Sequence, residues 1–190
     1  DPPKPGAETL FLGQVAARTG AVIAVLSQVP NQPLFGDLKE DALIAHTFAK
    51  QMQTGDDTWP ALLPMTKSAV RAMDVVQSLL KERFTQDVTR FVVTGGSKRG
   101  WTTWLAGAVD PRVCAIAPMV IDTLNMRPQM ALQVASFGGY SEQIDDYTKI
   151  GLQRQAETLA GRKLLELVDP YAYRARLTMP KLLVMGTNDR

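Results

Sequence analysis

The chain of 190 residues contains one cysteine and one histidine, and each scarcity excludes chemistry. With Cys114 as the single thiol no internal disulfide can form, and the redox compartment is left open. With His46 as the single imidazole, and no His/Cys cluster at ligand spacing, no metal site is expected. Long apolar runs are missing as well. Nothing approaches the roughly 18 consecutive apolar residues of a membrane span, and the opening Asp1-Pro-Pro-Lys-Pro5 lacks the charged and apolar regions of a signal peptide. Charge of one sign is also scarce. Lys and Arg number 21 against 19 Asp and Glu, a net of +2 with no basic block, so no nucleic-acid partner is expected.

What is present is apolar. At 45% hydrophobic, the chain can bury one substantial core, so residues 1–190 are expected to form a single globular domain or a large piece of one. Glu8 to Thr19 has helical spacing and stops at Gly20, and Ala21-Val-Ile-Ala-Val-Leu26 is an unbroken apolar run that predicts a strand buried on both faces. A loop held extended by Pro30 and Pro33 follows. Asp41 to Thr54 and Thr66 to Phe84 read as amphipathic helices, the first with Ile44, Phe48 and Met52 on one face. Three more strands are expected at Arg90 to Thr94, Arg112 to Pro118 and Lys181 to Gly186, with a helix from Lys98 to Val109. This alternation predicts an α/β fold whose mostly parallel sheet is covered by helices on both faces. Cys114 is expected inside a strand.

Residues 122–170 keep helical periodicity without a clear strand, punctuated by Gly138-Gly139, Gly151 and Gly161. They predict a helical, cap-like insertion after the fourth strand–helix unit, lying over the C-terminal ends of the strands, or else ordinary crossover helices with long loops. The last residues, Pro180 to Arg190, carry a buried-strand pattern that a parallel sheet would continue through another helix, so the chain is expected to belong to a longer protein.

The most informative stretch is Arg90-Phe-Val-Val-Thr-Gly-Gly-Ser-Lys-Arg-Gly-Trp101, which reads as a strand, a sharp turn and a helix with Ser97 at the apex. A serine hydroxyl is a poor nucleophile unless it stands clear of the sheet, near a base and beside N–H groups that receive an oxyanion. Gly95 and Ser97 match the start of a G-x-S-x-G nucleophile elbow. Arg99 occupies the last small position, and Gly100 moves the close helix–strand approach one residue along. Two phosphate readings compete and fail. Trp101 stands where a P-loop needs Lys, and a dinucleotide fingerprint needs Gly at position 97, so no cofactor is expected. A plain strand-to-helix turn shaped by Gly-Gly-Ser is the remaining alternative.

Several stretches, taken in order, go beyond a generic elbow. They are Ala21 to Leu34 with its VPNQPL ending, Glu40-Asp-Ala-Leu-Ile-Ala45, Leu63 to Asp74, Thr94-Gly-Gly-Ser-Lys-Arg-Gly-Trp-Thr-Thr-Trp-Leu105, and Asp110-Pro-Arg-Val113 leading to Pro118 to Asn125. Together they resemble the PhoPQ-activated pathogenicity-related family (PqaA type), a branch of the α/β-hydrolase superfamily, over about residues 15–190. The resemblance implies a partial α/β-hydrolase fold in a secreted or periplasmic full-length protein that acts on a small-molecule or peptide substrate. It also implies that this chain begins after the first strands and that the triad histidine follows Arg190.

On that basis Ser97 is the nucleophile and Asp189 the favoured triad acid, with Asp122 as the alternative; for both, a solvated or helix-capping carboxylate is the plainer role. The backbone N–H of Lys98 is the expected oxyanion donor, aided by the helix it opens. The second donor would come from a loop upstream of Asp1. The side chains of Lys98 and Arg99 either favour a carboxylate-bearing substrate or pair with a nearby acid such as Asp110. Trp101 and Trp104 are expected in the core. The functional expectation is a serine-dependent acyl hydrolase, esterase or peptidase-like. The alternative is a non-catalytic secreted signalling or interaction protein that keeps the scaffold. His46 sits on the helix face away from Ile44 and precedes the serine, which makes it a surface residue and not a base. His46→Ala should therefore leave the full-length enzyme active, and loss of turnover in a folded variant would overturn that placement.

Overall fold

A computed structural model describes residues 7–186, with side-chain environments from Leu10 onward. Its centre is a parallel pair, β1 (Phe91–Gly96) and β2 (Val113–Met119), with Val93 opposite Ile116 and Gly96 opposite Met119. On β1 the β-branched and aromatic residues alternate. Phe91 and Val93 point inward, whereas Val92 is 66% exposed. The connecting helix α4 (Lys98–Val109) lies on both strands, and every residue from Gly100 to Ala108 is buried.

Among the described residues three helices precede β1. They are α1 (Ala7–Thr19), α2 (Glu40–Thr54) and α3 (Leu62–Phe84). Helix α2 ends where Gly55 takes a left-handed φ of 73° and donates its N–H to the Gln51 carbonyl at 2.8 Å, a conformation that costs glycine little. Helix α3 starts four residues before the expected Thr66, because Pro64 is tolerated in a first turn whose N–H groups lack helical acceptors anyway.

Two apolar clusters hold these elements. Leu43, Ile44 and Phe48 of α2 pack with Trp101 and Leu105 of α4 and with Tyr147, Leu152, Leu164 and Val168. Met73 of α3, Trp104 and Ala108 of α4, and Val113 and Ile116 of β2 form the second with Leu177. Helix α4 contributes one indole to each. Residues 122–170 contain α5 (Met126–Phe137), a 3₁₀ turn (Glu142–Ile144), α6 (Asp145–Lys149), α7 (Leu152–Gln155) and α8 (Leu159–Val168), followed by a 3₁₀ turn (Pro170–Arg176). Their apolar residues join the α2–α4 cluster, so they extend the main core and do not enclose one of their own.

Three expectations need correction. Residues 21–26 form no strand: Val22, Val25 and Leu26 are exposed and no ladder partner lies beside them among the described residues. An apolar run specifies a strand only where a neighbouring edge is available to pair with it. Residues 181–186 run parallel to β2 but meet it only in two separate bridges, Ile116 with Lys181 and Met119 with Val184, short of a continuous strand. Helical cover is one-sided, because Val92 and Thr94 are exposed on the face away from α4. Phe48 is fully buried between Trp101 and Tyr147, with ring centroids at 5.7 and 5.9 Å. Phe48→Ala should cost about 3–5 kcal/mol, read as a lower urea midpoint at unchanged slope.

Candidate functional site

Ser97 stands between β1 and α4 with φ 52° and ψ −125°, a backbone conformation that L-residues rarely adopt and that costs on the order of 1–3 kcal/mol. Its surroundings hold it there. The Ser97 N–H donates to the Met119 carbonyl at 2.9 Å, which ties the turn to the end of β2, and the Trp101 N–H donates to the Ser97 carbonyl at 3.0 Å. Two glycines supply the space. A Cβ on Gly95 would lie 2.8 Å from Arg99 backbone atoms, and one on Gly100 would lie 2.5 Å from Ile121 Cγ2 and 2.9 Å from the Gly95 carbonyl. Gly100 thus permits the close approach of helix to strand, one position later than in the usual pattern. The turn leaves Ser97 exposed.

Lys98 opens α4, so its backbone N–H has no intrahelical acceptor and points out of the positive end of the helix beside Ser97. Its side chain turns the other way. Lys98 Nζ lies 2.7 Å from Asp41 Oδ2 and 2.9 Å from Glu40 Oε2 and is 11% exposed, and the Arg99 guanidinium grips Glu40 at 2.5 and 2.9 Å. The expected partner Asp110 is instead taken by Arg112, at 2.7 Å. The reason is topological: the start of α2 reaches the start of α4, whereas Asp110 ends that helix. Two cations against two carboxylates leave this corner close to neutral, which removes the charge argument for a carboxylate-bearing substrate. Hydrogen bonds from Arg99 first, then from Lys98 and Gln32, hold the Glu40 carboxyl well below the usual glutamate range.

Asp122 follows three residues after Met119, which faces Gly96 across the strand pair, so it leaves the sheet at the same edge as Ser97. It is exposed and accepts a hydrogen bond from Gln129 Nε2. Neighbouring atoms still strip enough water from its carboxyl to raise its pKa above the ordinary value, against that hydrogen bond. It does not cap the next helix. That helix starts at Met126, and the buried Asp169 caps it from across the fold, accepting from Met126 N at 2.8 Å and Asn125 N at 3.1 Å, and also from Tyr171 N at 2.9 Å. Burial raises the Asp169 pKa despite these three donors.

Asp189 lies outside the described residues. His46 is half-buried, not free on the surface, because the loop before α2 folds back and sets the Phe35 ring 4.9 Å from the imidazole. Among the described residues no side chain hydrogen-bonds the Ser97 hydroxyl, and no group of His, Cys, Asp and Glu is placed to hold a metal ion. One open concavity of about 480 Å³, lined by Leu63, Val70, Leu105, Val109 and Tyr173, contains none of these residues. The sequence reading missed Glu40, Asp41, Tyr147 and Asp169. The adjacent acids at the head of α2 look like ordinary helix-dipole partners, and nothing local marks Tyr147 or Asp169.

Fold and site together define an α/β chain built around a strained strand–serine–helix turn. The chain belongs to the family of PhoPQ-activated pathogenicity-related proteins, whose model matches residues 1–190. It is 40% identical over 194 residues to autocrine proliferation repressor protein A of Dictyostelium discoideum, a match that covers 97% of this chain and 38% of that protein. The chain therefore spans well under half the length of this relative. No solved structure matches it.

The depressed Glu40 pKa carries a pH signature. Unfolding returns the carboxyl to about its ordinary 4.5, so protons bind on unfolding and the Glu40 contribution, complete above that value, is lost as pH falls toward the folded one. Urea midpoints measured from pH 7 to pH 3 should decline more steeply for wild type than for Glu40→Gln, and parallel curves would show that the carboxylate contributes nothing.

Proposed function

We propose that the full-length protein is a serine-dependent acyl hydrolase, an esterase or a peptidase-like enzyme, on an α/β-hydrolase scaffold, with Ser97 as its nucleophile. The observation that carries this reading is the Ser97 backbone, a strained conformation at a solvent-open strand-to-helix turn that glycines at 95 and 100 are shaped to permit. Such strain in a non-glycine residue, at the sheet's C-terminal edge, has a chemical rationale when the hydroxyl must be presented to a substrate.

In this reading a histidine of the full-length protein, outside this chain, accepts the Ser97 proton as Oγ attacks the acyl carbon. The developing oxyanion is met by the Lys98 N–H and the positive end of α4. The acid that orients the imidazole is Asp189 or Asp122. Asp122 is supported by its place at the edge that carries Ser97; Asp189 is supported by its position in sequence three residues after Gly186, past the 181–186 segment. Collapse of the tetrahedral species expels the leaving group with the proton from the imidazole, and water then cleaves the acyl-enzyme by the same steps in reverse roles.

A second reading keeps the fold without the chemistry, as an exported signalling or interaction protein, and the relative's name, an autocrine repressor of proliferation, favours it. A fluorophosphonate probe separates the two. Labelling of the full-length protein at Ser97 that vanishes in Ser97→Ala supports the hydrolase, whereas a folded protein that takes up no label supports the scaffold.

A further inference from the structure

Glu40 and Asp41 at the head of α2, Lys98 and Arg99 at the head of α4, and Tyr147 of α6 form one half-sheltered polar cluster that the hydrolase scheme leaves unused. Asp41 is its hub. Oδ2 accepts from Lys98 Nζ at 2.7 Å, and Oδ1 accepts from the Tyr147 hydroxyl at 2.9 Å. Tyr147 is buried, with its ring against Phe48 and Trp101, so its hydroxyl has little freedom to turn elsewhere. Glu40 braces the other side through Arg99, while Gln32 of the preceding loop hydrogen-bonds both the Glu40 side chain and, at 2.8 Å, its backbone N–H. Glu40 is itself held at a positive φ of 53°.

A sheltered ion pair adds little net stability, because desolvation offsets most of the Coulomb attraction. What it does supply is position. Glu40 and Asp41 hold the two residues that directly follow Ser97, at the strained first turn of α4, and Gln32 and Tyr147 brace those two carboxylates in turn. Resting on the hydrolase reading, we infer that Asp41 is a positioning residue for Ser97: through Lys98, and held in turn by Tyr147, it locks the first turn of α4 and with it the serine and the Lys98 N–H. The 122–170 segment, which supplies Tyr147, thereby helps to fix the reactive turn.

The test uses the full-length protein and two readouts. In Asp41→Asn the saturating rate of fluorophosphonate labelling at Ser97 should fall on the order of tenfold to a hundredfold, the scale expected for small misplacements of reacting groups, while the half-saturating probe concentration stays unchanged. Tyr147→Phe keeps every charge and the buried ring, so it guards against simple unfolding, and it should lower the same rate by a smaller factor. The double variant should be no slower than Asp41→Asn alone, since both act along one line. Rates that fall only in proportion to the unfolded fraction, or a double variant in which the two losses multiply, would overturn the inference. Amide hydrogen exchange across Ser97 to Trp101 reads the lock without any chemistry. Faster exchange in Asp41→Asn supports it even if wild type takes no label, a result that would sink the hydrolase reading alone; unchanged exchange overturns the lock whatever the labelling shows.

Discussion

The contact on which the rest turns is the near touch of α4 and the end of β2 at Gly100. With no side chain there, Gly95 and Ile121 come within a distance that a single methyl group would forbid, and the Met119 carbonyl comes nearly as close. That closeness lets the Ser97 N–H reach the Met119 carbonyl, and the resulting bond pins a backbone conformation that would otherwise relax. The serine is strained because its neighbours are tightly packed, and it is open to solvent because the strain turns it away from them.

Helix α4 has two loyalties. Trp104 and Ala108 belong with α3 and β2, whereas Trp101 and Leu105 belong with α2 and the helices beyond residue 122. The Trp101 indole N–H also donates to the Val168 carbonyl at 2.6 Å, which closes the end of α8 onto the first turn of α4. Asp169, the next residue, caps α5 and the following 3₁₀ turn. The segment after β2 is thus joined to the serine turn at several points, through apolar packing, a backbone carbonyl and the Asp41 hub.

Much of this was legible in the residues. The period of Ile44 and Phe48, the Gly55 stop, the β-branched run before Gly95 and the burial of both α4 tryptophans follow from rules that act within a turn or two of chain. The shifted glycine of the serine turn could also be read, because steric room is a local demand. What escaped was non-local. Ala21 to Leu26 has the composition of a buried strand, but composition does not supply the edge that a strand must pair with, and in this chain those side chains face water. Lys98 and Arg99 pair with acids, but with Glu40 and Asp41 and not with the nearby Asp110, because sequence distance does not reveal which helix ends meet. The Asp169 cap spans more than forty residues, and no spacing rule links it to Asn125. Family membership rests on the whole run of residues 1–190 and not on the serine turn by itself.

The placement of the two α4 indoles has an optical consequence. Trp101 and Trp104 lie three residues apart on one rigid helix, each almost dry, each embedded in a different half of the interior, while Trp59 belongs to the outer aromatic group around Phe35. Intrinsic emission therefore carries two internal signals from a single helix, one sensitive to water entering beside Phe48 and Tyr147 and the other to water entering beside Met73 and Ile116. Replacing Trp59 and one of the two α4 indoles with phenylalanine leaves the other as a native beacon, so loosening of the helical segment and loosening of the strand layer become separately visible without any added dye.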